Sequence, residues 1–125
     1  MTPTTPLIST LESYLRLTTA REQAISTNMA NVDTPGYHTH DINFQGELKK
    51  AMSGALSQFN DSAETPKMDP IVQDVSGMME RPDGNNVSLD REGLLMSEMQ
   101  LQYQVGIQLI KHQFHQILSA ISGGS

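Results

Sequence analysis

Apolar residues recur at helical spacing at both ends of the chain. From Ile8 the series runs Ile8, Leu11, Leu15, Thr18, Glu22, Ile25, Met29 and Val32. Its steps alternate three and four, which makes one narrow stripe of the kind that packs along another helix, as an ordinary core helix also does. The spacing predicts a helix over residues 7–31. A second series, Phe44, Leu48, Met52, Leu56 and Phe59, predicts a shorter helix near 45–58, weakened by Gly46 and Gly54. A third runs Met96, Met99, Tyr103, Ile107, Ile110, Phe114, Ile117 and Ile121. It predicts a helix over 89–121 that Ser88 caps and Gly123-Gly124 ends. Asp90 and Glu92 in its first turn suit the positive helix end. At ~1.5 Å per residue that helix is roughly 50 Å long. A compact domain of this size is only about 30 Å across. Such a helix needs a long partner, and the sequence offers the N-terminal one. The expected fold is mainly α, with the terminal helices paired as an antiparallel coiled-coil-like bundle around a loop-rich, short-β middle. The expected parts are 1–32 (tail and first helix), 33–87 (middle) and 88–125 (last helix).

The first helix should stop within Asn28-Met29-Ala30-Asn31-Val32-Asp33-Thr34-Pro35-Gly36-Tyr37. Pro35 is preset for the first central position of a type II turn, and Gly36 takes the positive φ of the second. Thr34 precedes a proline and is pushed out of the α region. Asn31 suits a left-handed helix end. After the turn, Ile42 and Phe44 alternate with polar residues, which predicts a short extended segment. Residues 60–87 read as loop and irregular β structure. There Ile71-Val72 and Val75 are candidates for a small hairpin, and Asp83-Gly84 is a turn signal. Residues 1–6, rich in Thr and Pro, read as a tail.

Charge changes this picture from a helical hairpin to one with two environments. The chain has 125 residues and a net charge of -6. Residues 1–31 carry Glu12 and Glu22 against Arg16 and Arg21, and residues 93–125 carry Glu98 against Lys111. All of the net negative charge therefore falls in 32–92. An acidic balance opposes non-specific nucleic-acid binding. The polar side of the last helix carries Gln100, Gln102, Gln104, Gln108, Gln113 and Gln116 where Glu and Lys would be usual. Gln is a good helix former, and it can also be covered without the cost of burying an ion. Apolar residues are 37% and aromatics 5%, with no Trp, below the usual apolar share of a globular domain, which points away from one compact core. The N-terminus has no basic region followed by an apolar core, so no cleavable secretory signal is expected. No apolar run reaches the roughly 18 residues of a membrane span.

Candidate chemistry is sparse. Without Cys there is no thiolate site or disulfide. His38-x-His40-Asp41 has the residue types of a metal site, but in an extended segment Asp41 points away from the two histidines. His112 and His115 lie far off on the last helix. No nucleophile elbow, phosphate loop or assembled acid–base pair is present. The expectation is no enzyme, no cofactor and no metal, with a small metal-dependent enzyme using His38 and His40 as the competing reading.

The string Asn28 to Tyr37 resembles the N-terminal signature of the bacterial flagellar axial proteins, the rod, hook and hook-associated subunits. Asp41-Ile42-Asn43-Phe44, and Arg81-Pro82-Asp83-Gly84-Asn85-Asn86-Val87-Ser88-Leu89-Asp90-Arg91-Glu92 leading into a helix with Tyr103-Gln104, resemble the rod subunits within that family. The chain departs from the family at His38-Thr39-His40, where a basic residue is more usual, and the resemblance is carried by both ends and the Asp83–Leu89 link, not by residues 50–80. The resemblance implies a structural subunit of the periplasmic rod, passed through the flagellar type III export apparatus without a cleaved signal. It implies partners in further copies of the chain, a FlgC-like rod subunit and the FliE-like rod–ring adaptor. FlgC itself is the alternative identity within the family. The resemblance also marks Asn28, Ala30, Asn31, Asp33, Thr34, Pro35, Gly36 and Tyr37 as the family turn. Ile8, Leu11, Leu15, Ile25, Met29 and Val32, with the eight apolar residues from Met96 to Ile121, are the expected assembly positions.

Overall fold

The structure, a computed structural model, describes residues 6–57 and 69–123. Chain order is α1 (Pro6–Ala30), β1 (His40–Ile42), α2 (Phe44–Ser57), β2 (Val72–Asp74) and α3 (Leu89–Ile121). Proline at the start of α1 loses no helical bond, because the first N–H groups are unpaired anyway. Ser88 caps α3, its hydroxyl accepting from the Arg91 N–H at 3.3 Å. At the far end the Ser122 N–H returns to the Leu118 carbonyl at 2.9 Å. Of the expected tail over 1–6, residues 1–5 lie outside the described residues, whereas Pro6 opens α1; residues 60–68 of the expected loop, Phe59 and residue 58 of the expected second helix also lie outside them.

α1 and α3 pack antiparallel, and α1 also carries β1 and α2. From α1 the seam buries Ile8, Leu11, Thr18 and Ile25; from α3 it buries Met99. Burying a side chain such as Ile25 or Met99 contributes about 1.5–3 kcal/mol. Thr18 interrupts the stripe without leaving a polar group unpaired, since its hydroxyl donates to its own helix at the Leu15 carbonyl, 2.7 Å away. Leu17 lies off the stripe yet is buried, and Tyr14 meets Phe44 of α2 edge-on at 5.6 Å between ring centres. α1 therefore has a second working face that its heptad pattern does not announce.

The axial register is fixed by Gly106. A Cβ at this position would stand 2.7 Å from Leu15 Cδ2 and 3.0 Å from the Tyr14 ring. The helices come this close only because position 106 has no side chain. Gly106→Val is expected to push them apart and cost about 1–3 kcal/mol by overpacking. The midpoint of urea unfolding followed by circular dichroism reads this, and an unchanged midpoint would refute the close approach. Beyond Gly106 the seam opens. Ile107, Ile110 and Ile117 are half-buried, whereas Phe114 is 51% and Ile121 74% exposed.

Two expectations need correction. Asn31 does not take a left-handed conformation, for every positive φ among the described residues belongs to Gly. Its side chain ends the helix instead: Nδ2 donates to the Thr27 carbonyl at 2.8 Å, and Oδ1 accepts from the Thr34 hydroxyl at 3.0 Å. Nor do Ile71-Val72 and Val75 form a hairpin with each other. Val72–Asp74 pairs antiparallel with His40–Ile42, matching His40 with Asp74 and Ile42 with Val72. The apolar piece thus joins β1, thirty residues earlier in the chain, instead of folding back on itself.

Candidate assembly site

The end of α1, the turn, β1 and the approach to α3 meet in a corner built mostly from polar groups. Asn28, on the last turn of α1, is its fully buried centre. Its Nδ2 donates to the His40 carbonyl at 2.8 Å and to Glu92 Oε2 at 3.1 Å. Its Oδ1 accepts from the Tyr37 hydroxyl at 2.9 Å and from the His40 N–H at 3.0 Å. One amide thus joins α1, the turn, β1 and α3 with its four bonding positions filled.

The turn follows from Pro35 and Gly36. Gly36 has φ +75°, and the Tyr37 N–H returns to the Thr34 carbonyl at 3.2 Å. This aims the Tyr37 ring back at Asn28. The Gly36 N–H donates to the Asp83 carbonyl at 2.9 Å, and a Cβ on Gly84 would meet the Gly36 Cα at 3.2 Å. The Asp83-Gly84 turn therefore seats directly on the Pro35-Gly36 turn.

The two residues that follow complete the joint. Asn85 Nδ2 donates to the carbonyls of Asn31 and Thr34, both at 2.9 Å, and its Oδ1 accepts from the Val87 N–H at 2.8 Å. Asn86 Oδ1 accepts from the Thr39 N–H at 2.6 Å, and the Asn86 carbonyl accepts from the Thr39 hydroxyl at 3.3 Å. Arg81 donates to the Val32 carbonyl. The family turn and the segment before α3 are one structure in space.

A chain of charges flanks the corner. Asp41 receives Arg21 in a two-point pair at 2.9 and 3.0 Å and Arg91 at 3.0 Å. Arg91 also donates to Glu92 at 2.6 Å. Glu92, read from sequence only as a first-turn acid suited to the helix dipole, is fully buried here with Arg91 and Asn28 as partners. Burial works against ionisation of Asp41. Hydrogen bonds from Arg21, the Ile42 N–H and Arg91 outweigh it and hold the carboxyl below its ordinary value. A depressed folded value means that the stabilisation is complete above the unfolded value of about 4 and is lost as pH falls through the folded one. The urea midpoint is therefore expected to be level near neutrality and to drop on acidification below about pH 4. Asp41→Asn should lower it at neutral pH and flatten the acid limb; an unaltered acid limb would rule Asp41 out.

The remaining expected positions fall as follows. Ala30, Asp33 and Pro35 are exposed, as are Met29 and Tyr103, while Val32, Leu15 and Met96 are half-buried. The two histidines go to different carboxylates: His38 Nε2 lies 3.7 Å from Glu80, and His40 Nε2 lies 3.0 Å from Asp74. Among the described residues no three His, Asp or Glu side chains gather as a metal site would need. No helix among them is long and apolar enough to cross a membrane. Sequence reasoning missed Arg21, Thr39, Asn85 and Asn86. Asn85-Asn86 follows a turn signal and precedes a cap, and so reads as linker.

The corner and the helices it joins define a structural class, a helical hairpin locked at one end whose long arm is left partly uncovered. No protein-family model matches the chain. It is similar to the flagellar basal body rod protein FlgB of Salmonella typhimurium, 32% identical over 126 residues that cover 91% of each chain. The Escherichia coli K12 protein of the same name is 31% identical over 129 residues, again 91% of each. That of Bacillus subtilis 168 is 26% identical over 122 residues, 94% of each. The chain belongs to the FlgB family of flagellar basal-body rod proteins.

Proposed function

We propose that this chain is a structural subunit of the proximal rod of the flagellar basal body, acting by helix packing and not as an enzyme. The observation that carries the reading is the uncovered apolar surface of α3. Leu101, Phe114, Leu118 and Ile121 are all exposed on a helix that carries only Glu98 and Lys111 as charges after Gly93. Such a surface is covered when helices of neighbouring subunits pack side by side, and its lack of ions removes the cost of burying charge. Membership of the FlgB family supports the same reading.

In this account α1 and α3, with the expected assembly positions from Ile8 to Val32 and from Met96 to Ile121, form the tube-building arm. The acidic middle faces outward or contacts adjacent subunits. The partners are further copies of the chain, a FlgC-like rod subunit and a FliE-like adaptor. The subunit reaches the periplasm through the flagellar type III export apparatus without a cleaved signal. The end of α3, where the seam is open, is the loose part of the free subunit, and the corner is the firm part.

Deleting the coding sequence and imaging basal bodies is the test. Rings without a rod are expected, with the rod restored by the intact gene. A normal rod in the deletion strain would reject the assignment.

A further inference from the structure

Half a turn away from its seam, α3 carries a second apolar row. Leu94 and Leu101 lie two residues past the buried Glu92 and Met99, about 200° round the helix. Val105 and Leu109 continue the row at steps of four, each step turning it about 40° further round the helix. These four side chains are 71%, 62%, 48% and 48% exposed, and Gln104 and Gln108 lie between them. A helix apolar on two opposite sides is built to sit between other helices.

α1 has the matching feature on its side away from α3. Ala20 and Thr27 lie two residues past the buried Thr18 and Ile25, again about 200° round. With Ala24 they floor a groove of about 430 Å³ walled by Ile42, Pro70 and Val72. No lining residue carries a carboxylate, ammonium or guanidinium group. Ala20 and Ala24 at a four-residue step, with Thr27 three further on, make a furrow, and Leu101, Val105 and Leu109 at steps of four make a ridge, the arrangement of ridges-into-grooves packing.

We infer that the Leu101–Val105–Leu109 ridge of α3 seats in the Ala20–Ala24–Thr27 groove of a second copy of this chain. The inference rests on the rod-subunit reading and adds which faces meet and with what polarity. Ridge and groove lie on the outer sides of the α1–α3 pair, so the ridge of one chain does not reach that chain's own groove. Neither surface is lined by a carboxylate, ammonium or guanidinium group, the groove's His40 facing Asp74 at its rim, and their sizes are complementary. Two unlike faces make a heterologous contact that leaves one ridge and one groove free at every step, and therefore propagates instead of closing as a symmetric dimer.

The chain has no Cys, so introduced thiols report without background. Full-length Ala24→Cys and Val105→Cys chains, and the double variant, are expressed in cells lacking the native gene and oxidised. Gln23→Cys with Leu101→Cys is the second pair, used if the first impairs swimming. In swimming cells the double variant is expected to give a ladder of disulfide-linked multimers. Each single variant alone gives none, and the two singles co-expressed give a dimer. A Val105→Cys chain that links to itself, a link to a different rod protein, or no ladder from either pair would overturn the inference. All three leave the rod-subunit reading standing, because that reading fails only if a rod forms without the gene.

Discussion

Asn28→Asp is expected to be the most damaging single change in the molecule at neutral pH, despite being nearly isosteric. The new oxygen would take the place of Nδ2, 2.8 Å from the His40 carbonyl and 3.1 Å from Glu92 Oε2. Two attractive contacts become repulsive, and a second carboxylate joins Glu92 in a buried place, where both cannot ionise cheaply. Asn28→Ala removes all four bonds and leaves the Glu92 oxygen, both His40 backbone groups and the Tyr37 hydroxyl short of a partner. At about 1–3 kcal/mol for each buried group left unpaired, with partial relief by water, a loss of about 3 kcal/mol or more is expected for Ala. The Asp variant should be worse than Ala, because it keeps two oxygen–oxygen contacts where Nδ2 had donated. Urea midpoints of the two variants at pH 7 separate them. If Asp proves milder than Ala at pH 7, Asn28 Nδ2 does not donate to Glu92 and the His40 carbonyl.

Gly36→Val is expected to stop swimming while leaving secretion of the subunit largely intact. Gly36 holds φ +75°, and a β-branched residue there costs about 1–3 kcal/mol in strain. The turn cannot relax freely, because Gly84 packs against the Gly36 Cα and Asp83 accepts its N–H. Distortion therefore passes to Tyr37, whose hydroxyl reaches Asn28. Gly36→Asn should be much milder, since Asn tolerates positive φ. Swim rings in soft agar and subunit recovered from the medium are the readouts. Normal swimming by Gly36→Val would show that the turn conformation is dispensable.

These two residues also mark how far the sequence can be read. Gly36 was legible because Pro-Gly states its own geometry within two positions. The long helices were legible for a similar reason: local periodicity over 25 and 33 residues accumulates into a clear signal. Asn28 was visible only as part of a family string, since the four groups that its amide serves lie 9, 12 and 64 residues away in sequence. Asn85 and Asn86 were hidden in the same way, by partners 47 to 54 residues distant. The β pair was half legible: each three-residue strand was in view as an apolar piece, but too short to specify its partner. On α3 the alternation of Leu with Gln obscured the second apolar row, because a search for one stripe assigns everything else to the polar side.

The corner also sharpens the division of the chain into an uncharged arm and an acidic middle. The two are not simply neighbours in sequence. Asp41 and Glu92, both from the acidic stretch, turn inward onto Arg21 and Arg91 and hold the base of the helix pair. Charge that looked outward-facing is used, in part, to lock the base of the α1–α3 pair.

The central claim is that one chain supplies both helices of the pair, locked at Asn28, as a unit of the rod. Cryo-electron microscopy of the rod in purified basal bodies tests it most directly. The expected map has α1 and α3 of the same copy antiparallel, Gly106 against Tyr14 and Leu15, and Asn28 against Glu92. A map in which α1 of one copy pairs instead with α3 of another, or in which this chain is absent from the rod, would contradict it.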